Sequence, residues 1–146
     1  MKSALHSAAM PALVAMLAAA IGLVVGIAFV PYVSFALAGL VLRPIKFVVA
    51  KISPWHEDED FHPRKMFFMN AHLGLACAIC VSGALVCASY LGWQRPPHWP
   101  LAVVPGTVAV AAACLTPILP YFGWLPVVAA ALFAIPAAGI AAHFWG

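Results

Sequence analysis

The sequence predicts an all-α, polytopic membrane protein with about four transmembrane helices and one interfacial amphipathic helix. Three observations carry that expectation. The 146 residues are 66% hydrophobic and only 8% charged, with a mean hydropathy of +1.05. Soluble domains carry about a quarter charged residues and leave roughly a third of the chain's surface in water, so this chain must use lipid as its main solvent. Residues 66–93 hold no Lys, Arg, Asp or Glu and exceed the roughly 20 residues that a helix needs to cross a bilayer. The apolar runs show no period-two alternation, which excludes a β-barrel and leaves helices to satisfy their own backbone hydrogen bonds.

Taken in order, residues 1–9 are a short polar start, and the apolar run after them continues to Leu42. A cleaved signal peptide would stop after about 7–15 apolar residues, so none is expected. The first span is read over residues 11–32, with Ala18, Gly22 and Gly26 at four-residue spacing forming a flat stripe for a neighbouring helix. Pro31 ends it, because proline lacks the N–H and restricts the residue before it.

Residues 36–52 then read as an interfacial helix, with Arg43, Lys46 and Lys51 beside Ile45, Phe47, Val48 and Val49. Such cations snorkel toward lipid headgroups. A rival reading folds residues 4–24 and 28–48 into a hairpin of two spans. The hydrophilic loop 53–65 follows, SPWHEDEDFHPRK, fenced by Pro54 and Pro63. It holds all four acids of the chain, Glu57, Asp58, Glu59 and Asp60, between His56 and His62. The later spans are read over residues 66–93, 101–119 and 125–143, the last with an Ala130, Ala134 and Ala138 stripe. The whole chain forms one membrane domain.

Charge and aromatic placement give a direction. Five of the seven Lys/Arg residues, Arg43, Lys46, Lys51, Arg64 and Lys65, fall close to loop 53–65, which the positive-inside rule turns to the cytoplasm. These five are the expected lipid-headgroup contacts. Trp55 and Trp124 then fall at the inner face, and Trp93, Trp99 and Trp145 at the outer one, where amphipathic rings prefer to sit. An Ala- and Gly-rich chain of this kind fits the inner membrane of a bacterium.

Candidate chemistry is sparse. Cys77 and Cys80 form a CxxC pattern, and Met66, Met69, Cys77, Cys80 and Cys87 fall within an arc of roughly 80° on one helix. Sulfur ligands suit soft ions such as Cu(I) or Hg(II), but this stripe spreads over roughly 30 Å. His56, the acid block and His62 present imidazole and carboxylate donors, yet neighbouring loop residues rarely aim at one point. His6, His98 and His143 share the expected outer side without being forced together. His72 has no second histidine at matching depth to share a haem. Signatures of a nucleophile elbow, a phosphate loop, HExxH or a dinucleotide site are missing, and the net charge of +3 with no basic tract argues against nucleic acid.

The expectation is therefore a non-enzymatic subunit, with no cofactor, metal or small-molecule substrate indicated. It would serve as an accessory or scaffold protein of a larger inner-membrane complex. Gly22 and Gly26 would receive a partner helix, and His56, Glu57, Asp58, Glu59, Asp60 and His62 would dock a cytoplasmic partner. The partners are membrane lipids and other integral membrane subunits. Soft-metal transport through the Met/Cys stripe is an alternative from another class, and a structural role in a secretion or conjugation channel is a third. Spans that move ions usually bury a charged residue, and none stands mid-span here.

Overall fold

The computed structural model describes residues 2–29, 31–52, 63–91, 99–116 and 124–145, with side chains described at 9–29, 31–52, 67–91, 102–116 and 124–144. Five helices account for nearly all of these residues: α1 (Lys2–Phe29), α2 (Pro31–Ile52), α3 (Pro63–Tyr90), α4 (Trp99–Cys114) and α5 (Leu125–Trp145). No strand occurs among the described residues, so the protein is an all-α, polytopic membrane fold. Proline marks the starts, being the first residue of α2 and α3 and the second of α4 and α5. There its missing N–H would have no intrahelical partner anyway. Pro11, Pro44, Pro105 and Pro136 lie inside helices and each withdraws one ladder bond, a cost that membrane helices tolerate.

Among the described residues four helices are long and apolar enough to cross a membrane: Ala9–Phe29, Pro31–Ile52, Phe67–Tyr90 and Leu125–Phe144. This set includes α2 and leaves out the shorter α4. The stretch expected as an interfacial helix over 36–52 is one continuous helix from Pro31, because its three cations occupy only the last three turns and leave the first three uncharged. The span expected over 101–119 is shorter, with its apolar part limited to Ala102–Cys114. Thr116 explains the stop. Its N–H tightens onto the Ala113 carbonyl at 3.2 Å, its hydroxyl donates to the Ala112 carbonyl at 2.9 Å, and Pro117 then disfavours helical backbone at Thr116.

α3 is the central post, touching all four other helices. Small residues set the register along it. Methyl groups on Gly22 and Gly26 would overlap Ala84 and Cys80, so α1 runs antiparallel to α3. Gly74 faces Val110 and Ala113, and Gly106 faces Ala78 and Ser82, so α4 also runs antiparallel to α3. α2 passes α3 with Ser34 in hydrogen-bonding reach of Cys80, Phe35 and Gly39 at His72, and Lys46 at Phe68. It too is antiparallel to α3.

α1 and α2 therefore travel in the same sense, which rules out the hairpin of residues 4–24 and 28–48, whose arms would run oppositely. Gly26 near the end of α1 and Ser34 near the start of α2 both sit at Cys80, close to the middle of Phe67–Tyr90. The junction thus stands at half the height of α3. α1 covers the upper half of the post, toward Tyr90, and α2 the lower half, toward Phe67.

Alanine builds the core. Ala15, Ala19, Ala109, Ala113, Ala130, Ala134, Ala138 and Ala141 have no exposed surface, and Leu85, Val81, Pro105 and Cys77 are the largest side chains fully enclosed. Lipid tails are as apolar as leucine, so close backbone approach and packing, rather than hydrophobic burial, hold such helices together. Two side-chain bonds to backbone pin α3 to α4. Ser82 Oγ donates to the Ala102 carbonyl at 2.7 Å, and Asn70 Nδ2 to the Thr116 carbonyl at 3.4 Å.

Candidate functional surfaces

The stripe expected to receive a partner helix is already used. Gly22 and Gly26 meet Ala84 and Cys80 of α3, and Ala130, Ala134 and Ala138 lie in the chain's own core. The sequence signal for close helix approach was sound, but its partner is intramolecular. His56, Glu57, Asp58, Glu59, Asp60 and His62 lie outside the described residues, as does most of loop 53–65. Arg64 and Lys65 fall in the first turn of α3, and their side chains lie outside the described set.

Arg43, Lys46 and Lys51 are all exposed on the last turns of α2. Lys46 Nζ stands 5.7 Å from the centroid of the Phe68 ring and Lys51 Nζ 4.5 Å from that of Phe47. Leu42, Phe68 and Ala71 form a small buried cluster beneath them, with Val49 and Leu75 against it. This anchors the cationic end of α2 to the first turns of α3. α2 touches only α3 and α1 among the described helices.

The sulfur stripe divides among different surroundings along α3. Cys77 is buried in the core, Cys80 lies against Gly26, and Met69 and Cys87 are exposed. Among the described residues no three His, Cys, Asp or Glu side chains converge. His72 stacks on Phe35 at 5.7 Å between ring centroids, with an interplanar angle of 18°. His143 is exposed on the last turn of α5 beside Phe144. His98 and the side chain of His6 lie outside the described set.

Two features were not anticipated. An apolar groove of about 580 Å³ runs between α4 and α5, lined by Val108, Ala112, Leu115, Thr116, Ala129 and Phe133 among others. Among the described residues its one hydroxyl, on Thr116, is committed to the Ala112 carbonyl. No short sequence pattern marks such a groove, since it depends on how two helices splay.

The second feature is the α1–α2 junction. Phe29 is 79% exposed and Tyr32 90% exposed, although Ser34, two residues on, is buried and donates to the Pro31 carbonyl at 3.2 Å. The junction therefore points a phenol outward at half the height of α3. Pro31 was the sequence signal for a break; its depth needed the packing of α1 and α2 on α3. Comparison of the chain with protein-family models, with curated proteins and with solved structures finds no match.

Proposed function

We propose that this protein is an accessory, scaffold-type subunit of a larger bacterial inner-membrane assembly. In this reading a second integral membrane protein docks at the α1–α2 junction, and loop 53–65 meets a cytoplasmic partner. The outward-facing Tyr32 carries the reading. Tyrosine prefers the headgroup level, and half-way through a hydrocarbon layer about 30 Å thick its hydroxyl has no lipid atom to bond. Pro31 also has no N–H to give the Ile27 carbonyl, and backbone groups left without a ladder partner at membrane depth are tolerated only where protein or a water-filled cavity covers them. A neighbouring subunit supplies that cover. The Gly and Ala stripes lend no support to this proposal, because they are consumed inside the chain.

The test is extraction in a mild detergent followed by sizing, combined with a photo-crosslinking amino acid at position 32 in intact cells. The expected result is a co-purifying membrane protein that also forms the position-32 adduct. A stable monomer whose position-32 adducts are lipid alone would sink the proposal.

A further inference from the structure

The last three turns of α2 carry three side-chain sectors whose combination has a specific chemistry. At about 100° per residue, with Arg43 set at zero, Lys46 falls at about −60° and Lys51 at about +80°. Val48, Ile52 and Ile45 occupy about 140° to 200°, and Val49 and Leu42 about 240° to 260°. The last sector is the one packed toward Phe68 and Ala71 of α3. The other two sectors are exposed: Arg43, Lys46 and Lys51 in one, Ile45, Val48 and Ile52 in the other. α2 is the one markedly amphipathic helix of the five. The chain's four acids all stand at 57–60, so no acidic side chain lies on α2 itself.

From this we infer that the end of α2, braced on α3 by Lys46 over Phe68, is a seat for an anionic phospholipid. The phosphodiester headgroup meets Arg43, Lys46 and Lys51, and an acyl chain lies along Ile45, Val48 and Ile52. Charge complementarity selects the headgroup, because a cation near an anionic lipid surface contributes about a factor of five in binding. The adjoining apolar sector selects a lipid over a free phosphate. The Phe68 contact keeps Lys46 in place, so the cations stay gathered at one end of the bundle instead of ranging independently. This seat is separate from the Tyr32 surface and stands or falls without it.

The experiment uses the full chain purified in detergent, mixed with equal amounts of phosphatidylglycerol and phosphatidylcholine and read by native mass spectrometry. Phosphatidylglycerol adducts are expected to exceed phosphatidylcholine adducts at least about fivefold, and the ratio is expected to fall toward one as ionic strength rises. The triple variant R43Q/K46Q/K51Q, checked for unchanged helicity, should bind the two lipids equally. If that variant does not fold, the salt titration of the native chain decides alone. Equal binding by the native chain, or a preference insensitive to salt, overturns the inference. So does an undiminished preference in a folded triple variant. Displacement of phosphatidylglycerol by inorganic phosphate, beyond what chloride achieves at the same ionic strength, would reassign the seat to the phosphate group alone and overturn the lipid assignment.

Discussion

The Ser82 hydroxyl of α3 reaches the Ala102 carbonyl of α4 at 2.7 Å because Gly106, one turn further along α4, has no side chain in the way. The bond sits beside Pro105, which withdraws the donor that the Leu101 carbonyl would otherwise use. Interhelical bonds of this kind are worth about 0.6 kcal/mol on average and up to about 1.7 in a bilayer. Ser82→Ala should therefore lower stability by about that much. A methyl on Gly106 would stand 2.8 Å from Ser82 Oγ, so Gly106→Ala should cost more. Together they should cost less than their sum, since the alanine at 82 removes the obstructed hydroxyl. Thermal unfolding in one fixed detergent measures all three, and simple additivity would count against the contact.

Gly22 and Gly83 form a matched pair for a packing test. A methyl on Gly22 overlaps Ala84 and comes 3.0 Å from the Cys80 carbonyl oxygen, whereas one on Gly83 meets nothing within 4 Å. Overpacking costs about 1–3 kcal/mol, so Gly22→Ala should destabilise on that scale, with Ala84→Gly restoring part of the loss. Gly83→Ala should be neutral or stabilising by up to about 1 kcal/mol, since alanine is the better helix former. The same thermal measurement checks both. Equal losses at the two positions would show that α1 does not lie on this face of α3.

The direction of α2 is open to chemical test. Ser34 lies in hydrogen-bonding reach of Cys80, and the other cysteines, Cys77, Cys87 and Cys114, can be replaced by serine. In that background Ser34→Cys should form an intramolecular disulfide with Cys80 under mild oxidation, read by mass spectrometry. A cysteine at Lys46, brought to the Phe68 end instead, should leave Cys80 unmodified. Crosslinking from position 46 but not from 34 would mean that α2 runs the other way.

Thiol reactivity should follow packing. Cys87 is exposed and Cys77 is buried, with Cys80 and Cys114 between them. A lipid-soluble maleimide applied to membranes is expected to modify Cys87 first and Cys77 last, as resolved by peptide mass spectrometry. Early modification of Cys77 would contradict the enclosed core around Val81 and Leu85.

Much of the fold was legible in the residues. Charge-free stretches long enough to span gave the helical membrane class, and the last helix starts at 125 as expected. By contrast, α2 and α3 start on Pro31 and Pro63, five and three residues ahead of the expected starts at 36 and 66. Proline is preorganised for the first turn of a helix as well as being a breaker within one. The Gly22 and Gly26 spacing correctly announced a close helix contact, but spacing on one helix says nothing of whose helix comes near. Thr116 ended α4 early through local bonds to Ala112 and Ala113 that hydropathy does not register. The basic residues of α2 suggested a helix lying at the interface. Their crowding into its last turns let the first half run along α3 as an apolar helix. The outward Tyr32 surface was invisible beforehand, because a residue's depth depends on which turn of α3 it meets.

The shared heading of α1 and α2 past α3 has a consequence for compartments. With both helices heading one way, residues 9–52 are expected to cross the bilayer once, although each helix alone is long enough to do so. One crossing each by α3, the shorter α4 and α5 brings the expected total to four. An even number returns the polypeptide to its side of departure. Reporters fused near residues 9 and 144 should share a compartment with residues 92–98, and those placed at 53–62 and 117–123 should share the other.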